Sequence, residues 1–358
     1  MAYPLVSILL PSLNAREFLE ARIDSLLKQS YATWEAIVLD SGSTDGSWEL
    51  FESTAANDSR FRLNRIPREG LYAALNRGME LAKGEFLHFA PCDDTMAPEF
   101  LAEMLKAFGL CPEAGIAVCD VRLINRTDND LSADDLAAYL PRRSIKDLLN
   151  SDTVRTAFTN EKEPHLNYRP APHDCLIHFG GRSVYFSLTQ LVIRTALAKT
   201  AGPFETTVGS VADFGWLLRL TNLASTVHLP QKLATWRFHG NQLSLYHDDS
   251  RVRTTKIMCD RILPEIRKRY PGRLTPNDAR ALLLPCRIRI TRFFFRRALL
   301  WLESATRLIH MIFARPVVTT RALFRTRFRF GTKRHSLIPM ILLGAGLTPR
   351  RVNSLEHV

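Results

Sequence analysis

The sequence predicts an α/β layer fold with a mostly parallel central sheet flanked by helices. Three observations carry this. Strand and helix patterns alternate over the first 120 residues. The strand candidates are continuous apolar runs, as strands covered on both faces require. Polar clusters follow three of those runs, and the open edge of such a sheet is where ligands bind.

Leu5 to Leu10 is the first apolar run. Ala15 to Gln29 places Phe18, Leu19, Ile23, Leu26 and Leu27 at helical spacing. Glu35 to Leu39 reads as a second strand, Gly46 to Ala55 as a helix and Arg60 to Ile66 as a third strand. Leu71 to Ala82 keeps Leu71, Ala74, Leu75, Gly78 and Leu81 on one side of a helix. Glu85 to Ala90 is the fourth strand, Pro98 to Phe108 a helix with proline just inside its start, and Ile116 to Leu123 a further strand. From Asn125 to about Arg182 the pattern is irregular, and strand and helix patterns return between Val184 and Ala234.

The 358 residues are enough for one large or two ordinary domains, and 46% hydrophobic residues with 23% charged exclude a disordered chain. The net charge of +12 is uneven: residues 251–358 hold 24 Lys and Arg against 5 Asp and Glu, while the first 250 are net acidic. We therefore expect a domain over 1–247, in two halves over 1–124 and 125–247. A basic, mainly helical C-terminal extension over 248–358 follows. The six cysteines form no C-x-x-C pair and read as reduced, mostly buried thiols. The start MAYPLVSILLPSLN lacks the basic region of a signal peptide, and no apolar run reaches 18 residues.

The polar clusters are PSLN, DSGSTDG and PCDD. Asp40-Ser41-Gly42-Ser43-Thr44-Asp45-Gly46 fits a turn with an N-cap, and equally an acid that accepts hydrogen bonds from a nucleobase or ribose. Asp93-Asp94 fits a helix start, and equally a hard divalent cation held by carboxylates together with substrate phosphates. Placement after a buried strand at the binding edge favours the cation. His165, His173 and His178 fit no helix-borne zinc pair and read as surface or acceptor-loop side chains. Gly180-Gly181 reads as a hinge or tight turn.

PLVSILLPSLN, WEAIVLDSGSTDGS, EGLYAALNRGMELAKGEFLHFAPCDD and GPFETTVGSVADFGWLLRL occur in this order. Together they resemble the family 2 glycosyltransferases of bacterial polysaccharide synthesis, over roughly residues 4 to 245. The resemblance implies the GT-A nucleotide-sugar fold, with 1–124 as the nucleotide-binding half and 125–247 as the acceptor-side half, and an inverting transfer from a nucleotide-diphosphate sugar, a UDP-sugar first, to a saccharide or lipid-linked acceptor. It further implies that Pro11, Ser12, Asn14, Asp40, Ser43, Arg68 and Asn76 line the donor pocket. Asp93 would ligate Mn2+ or Mg2+, Asp94 would assist with the donor sugar, Asp213 would be the catalytic base, and His239 would approach the metal. The sequence departs from the family pattern at four places. Pro91 stands where the first acid of the D-x-D element belongs, and Ser41, Ala73 and Ala212 each replace an acid. A polyprenyl-phosphate glycosyltransferase and a non-catalytic sugar-nucleotide or polyanion-binding relative are the alternatives.

In the tail, RIRITRFFFRRALLWLESATRLIHMIF over 287–313 puts Arg289, Arg292, Arg296, Glu303, Arg307 and His310 on one stripe of a helix. It reads either as a helix packed on the domain or as an in-plane membrane helix. RALFRTRFRFGTKR adds basic and aromatic residues up to 334. An anionic membrane surface met by 287–334 is the expected partner, ahead of nucleic acid. The expected location is cytoplasmic, on the inner face of the cell membrane.

Overall fold

The computed structural model describes residues 3–132, 134–135, 166–179, 185–239, 250–271 and 350–352. His165, Gly180-Gly181 and the basic stretch 287–334 lie outside them. In chain order the elements are β1 (Val6–Ser12), α1 (Arg16–Leu27), β2 (Trp34–Asp40), α2 (Ser47–Asn57), β3 (Phe61–Arg65), α3 (Leu71–Leu81), β4 (Phe86–Phe89), α4 (Phe100–Leu110) and β5 (Ala114–Ile124). Then come β6 (Leu166–Arg169), α5 (His173–Phe179), β7 (Leu191–Arg194), α6 (Thr195–Ala201), α7 (Ala212–Leu223), β8 (Ser225–Arg237), α8 (Ser250–Arg269) and β9 (Arg350–Val352).

The described strands form one sheet in the order β3-β2-β1-β4-β7-β5-β8-β6-β9. The first four are parallel, with Ser12 opposite Asp40 and Leu9 opposite Phe89. The expected mostly parallel sheet is found, with β7 and β6 as the two strands that run against the rest. β7 is antiparallel to both β4 and β5, β6 is antiparallel to both β8 and β9, and only β5 with β8 is parallel in the second half. Two reversals across β7 return β5 and β8 to the direction of β4. The carboxyl ends of β1 to β5 and β8 therefore share one edge.

Both faces of the sheet are covered. Leu9, Ile37, Leu39 and Phe89 face α3, α5, α7 and α8, while Ile8, Leu10, Val38 and Phe51 belong to the cluster under α1, α2 and α4. Each large apolar side chain removed from water contributes about 1.5–3 kcal/mol, which explains the continuous apolar strands. Gly78 allows α3 to approach this closely, since a Cβ there would stand 2.7 Å from Leu39 Cδ1.

Two expectations need correction. The fourth helix begins at Phe100, so Pro98 lies before it rather than inside it. The region expected to be irregular contains β6 and α5. Ile262, Leu263 and Ile266 of α8 are buried in the same cluster as α7, and the Tyr270 hydroxyl donates to Asn222 O at 2.8 Å. Cys92, Cys111, Cys119 and Cys175 are buried free thiols, as expected.

Candidate active site

The loops after β1 and β2 are tied to each other by polar side chains. Asp40 Oδ2 accepts the N–H groups of Gly42 and Ser43, both at 3.0 Å, and its Oδ1 accepts the Ser43 hydroxyl. Ser43 Oγ accepts the Asn14 N–H at 2.9 Å, and Asn14 Oδ1 accepts the Thr44 N–H at 2.9 Å. Asn14 holds a left-handed φ of 49°, which asparagine tolerates better than most side chains. Gly42, at φ 84°, completes the turn. Asp40 is 0% exposed. In this arrangement its carboxylate organises the turn, and the expected contact with a base is not presented by its own oxygens. Ser12 is buried beside the Cys92 thiol, which donates to Pro11 O at 3.2 Å and which burial pushes up to about 12.

Arg68 is exposed in the loop after β3, at the same sheet edge. Asn76 is not turned toward that edge: its Nδ2 donates to Phe204 O at 3.0 Å, and its Oδ1 accepts the Phe204 N–H at 2.7 Å. It clips α3 to the chain before α7.

The two adjacent acids part company. Asp93 is partly exposed, and its Oδ2 stands 3.0 Å from His239 Nε2. Asp94 is 2% exposed and accepts the Arg237 N–H at 2.8 Å. Burial, and then the charge of Asp93, raise the Asp94 carboxyl well above its usual range. Asp94 therefore anchors the loop through its Oδ1. The far end of β8 brings His239 to this place. The β5–β8 register shifts at Asp120, near Pro230, a residue that cannot donate to a ladder. Beyond the bulge the strand runs beside 95–97, with Thr235 N–H donating to Thr95 O at 2.9 Å and Ala97 N–H to Leu233 O at 2.8 Å.

Asp213 lies in the first turn of α7 and its Oδ1 accepts the Phe214 N–H at 2.6 Å. Only Ala224 separates α7 from β8. Trp216, one turn on, packs edge-on against Phe89, the last residue of β4, at 5.5 Å, and stacks on Phe204 at 4.6 Å. Trp216 thus sets the first turn of α7 beside the end of β4, four residues before Asp93, the place that His239 also reaches.

Sequence reasoning missed the buried charges behind this edge. Arg22 is 0% exposed, and its Nε donates to Pro91 O at 2.9 Å. Burial lowers its guanidinium below the ordinary value, against the opposing pull of Asp94. Its position was legible: Leu19, Arg22, Ile23 and Leu26 fall on one helical face. His173 and His178, expected at the surface, are both fully buried. His173 Nδ1 lies 2.8 Å from Asp174 Oδ1, while Asp174 accepts two bonds from Arg169 at 2.6 and 2.9 Å and one from the Tyr185 hydroxyl at 2.6 Å. The His178 ring touches those of Tyr185 and Phe214.

Among the described residues no group of three or more His, Cys, Asp or Glu side chains could hold a metal ion. The Asp93–His239 pair nevertheless fits two places of one. Ligands about 2.1 Å from an octahedral cation stand about 3.0 Å apart at adjacent corners, which is the separation observed. The remaining places would fall to diphosphate oxygens and water.

Residues 7–166 match the family model of Glycosyl transferase family 2. That span holds Ser12, Asp40 and Asp93 but ends before Asp213 and His239. The chain is 32% identical over 120 residues to the putative glycosyltransferase EpsH of Bacillus subtilis, covering 34% of each protein. It is 32% identical over 147 residues to a PGL/p-HBAD biosynthesis glycosyltransferase of Mycobacterium bovis, covering 40% of this chain and 57% of that one. The matched stretches thus span about a third to just over half of these relatives' own length. Among solved structures, S. aureus TarS 1-349 in complex with UDP-GlcNAc superposes with a TM-score of 0.55 at 16% identity, over 78% of this chain and 70% of that one. The mannosyltransferase PcManGT of Pyrobaculum calidifontis, in complex with GDP-Man and Mn2+, gives 0.51 at 16% identity, over 96% and 86%.

Proposed function

We propose, from the premise that this chain resembles Glycosyl transferase family 2 and carries the GT-A type fold, that it is an inverting glycosyltransferase. Its donor would be a nucleotide-diphosphate sugar and its acceptor a saccharide or lipid-linked intermediate of envelope or extracellular polysaccharide. One observation carries the reading. A partly buried carboxylate–imidazole pair, Asp93 with His239, stands beyond the end of β4, at the sheet edge where the β1–β2 turn opens, and Asp213 would complete the site from the first turn of α7.

The turn built by Asn14, Asp40 and Ser43 would receive the nucleoside end of the donor, with Arg68 adding positive charge from the loop after β3. A UDP-sugar is the first choice, in line with the UDP-GlcNAc complex of TarS. Asp93 and His239 would hold Mn2+ or Mg2+, which when bound supplies positive charge against the leaving diphosphate. Asp213 would take the proton of the acceptor hydroxyl as its oxygen attacks the anomeric carbon. The bond from that carbon to the diphosphate breaks in the same displacement. A positioned base contributes roughly 10²–10⁴-fold in rate.

The surplus of 24 basic over 5 acidic residues in 251–358 supports attachment to an anionic leaflet through 287–334. No described helix is long and apolar enough to cross a membrane. Attachment on the inner face would bring the enzyme to a lipid-linked acceptor.

The test is turnover. The purified full chain is incubated with UDP-, GDP- and dTDP-sugars and a bacterial lipid extract, and released nucleoside diphosphate is measured. Release from one donor class, lost in Asp213→Asn while that variant still binds donor, is the expected result. No release from any donor would favour the non-catalytic relative, consistent with the acids missing at Pro91 and Ala212. Loss of donor binding in Asp213→Asn would give Asp213 another role.

A further inference from the structure

The loop that carries Asp93 is gripped by two buried guanidinium groups, and one of them shares the Phe18 ring with the imidazole that completes the cation pair. Arg237 is 1% exposed. Its Nε donates to Asp93 O at 2.6 Å, and its backbone N–H donates to Asp94 Oδ1 at 2.8 Å. Its Nη1 donates to the carbonyls of Asn125 and Arg126 at 3.1 and 3.2 Å, and its Nη2 to Asp128 Oδ1 at 2.6 Å. One side chain thus joins the loops after β4 and β5 to the end of β8.

The guanidinium carbon lies 5.1 Å from the centre of the Phe18 ring, and the same ring lies 5.0 Å from the His239 imidazole. Arg237 therefore bears on both members of the pair without being either. It holds the backbone of Asp93 directly. It holds His239 through the two-residue span of chain and through the shared Phe18 ring. A buried guanidinium is costly to desolvate unless its donors are used. Here the donors go to three carbonyls and a carboxylate, a planar fork that an ammonium group cannot reproduce.

We propose that Arg237 is a positioning residue that sets Asp93 Oδ2 and His239 Nε2 at the separation a divalent cation requires, with Phe18 as the ring on which the guanidinium and the imidazole are aligned. Pro91 sharpens the need. With no side-chain ligand at that position, the cation has only Asp93 on this loop, so the direction of one carboxylate decides the affinity. Arg22 secures the opposite end of the loop through Pro91 O. The proposal rests on the nucleotide-sugar reading of the site.

Calorimetric titration of Mn2+ into the full chain saturated with UDP tests it, on wild type, Arg237→Lys and Phe18→Leu, with melting temperatures read alongside. Groups behind metal ligands typically change metal affinity by about 10–100-fold when altered. Arg237→Lys is expected to weaken Mn2+ by at least about tenfold, and Phe18→Leu to weaken it in the same direction by less. Wild-type Mn2+ affinity in both variants, with or without a lowered melting temperature, would reduce Arg237 to a structural residue and overturn the proposal. Should Arg237→Lys not fold, Phe18→Leu decides alone. A wild-type chain that takes up no Mn2+ with UDP would instead remove the donor-site reading, and this proposal with it.

Discussion

The imidazole of His239 stands 3.0 Å from the carboxylate of Asp93, although 146 residues separate them in the chain. β8 makes this contact. It shifts register at a bulge, stays paired with β5 while it runs beside 95–97, and ends two residues before His239. The pair is the feature on which cation and diphosphate binding depend, and its two halves are not equivalent. Asp93→Asn removes the negative charge and is expected to lower kcat/KM by about 10²-fold or more at any Mn2+ concentration, because the cation's charge stabilisation is lost. His239→Ala removes a neutral ligand, so millimolar Mn2+ is expected to restore part of the rate. Initial rates against Mn2+ concentration for both variants separate the two. Equal recovery in both would show that the ligand assignment is wrong.

The β1–β2 turn yields a prediction about shape rather than charge. Asn14→Ala loses the bond to Thr44 N–H and forces alanine to φ 49°. Asn14→Gly loses the bond alone. A left-handed residue costs roughly 1–2 kcal/mol and a hydrogen bond about 1 kcal/mol. Chemical denaturation should therefore rank wild type above Asn14→Gly above Asn14→Ala, with UDP affinity falling in the same order. Undiminished UDP affinity in the alanine variant would move the nucleoside elsewhere.

The buried Arg169–Asp174–Tyr185 group supports the start of α7 through the His178 and Phe214 rings. Arg169 and the charge-assisted bonds around it hold the Asp174 carboxyl well below its usual range despite burial. Asp174→Asn leaves a buried guanidinium without its counter-charge, which typically costs about 3–5 kcal/mol. Denaturant unfolding should show that loss. Tyr185→Phe removes one donor and should cost about 1 kcal/mol. Similar values for the two variants would mean that the charge pair is not what holds this region.

Burial of His88 on β4 lowers its pKa to about 3. Its ordinary value is near 6.5. Between these values the unfolded chain binds a proton that the folded chain refuses. The stability is fully present above about pH 6.5 and is lost as pH falls toward 3, with a slope from this group of about 1.4 kcal/mol per pH unit. Unfolding free energies measured from pH 7 to 4.5 should fall less steeply in His88→Gln than in wild type. Parallel curves would show that His88 is protonated in the folded state.

The first half of the fold was legible because its evidence is local. Apolar runs of strand length ended at polar clusters, and those clusters do close the carboxyl edge. The second half was not, because β7 enters antiparallel between β4 and β5 by pairings that no local pattern encodes. At the site, Asp93 and Asp94 look alike in sequence. Only the return of β8 makes one a partly exposed ligand candidate and the other a buried anchor. Asn76 suited a donor pocket by resemblance, yet the backbone of Phe204, 128 residues on, claims both ends of its amide. The buried histidines were misread because polar surroundings in sequence hid that α5 packs beneath α7.

Nucleotide binding tests the central claim most directly. The full chain is titrated calorimetrically with UDP, GDP and dTDP, each with and without Mn2+, beside Asp93→Ala. The account predicts that one diphosphate, UDP first, binds with Mn2+ and that this binding is lost in Asp93→Ala. Failure of all three to bind with the metal present, or binding that is indifferent to both Mn2+ and Asp93, would contradict it.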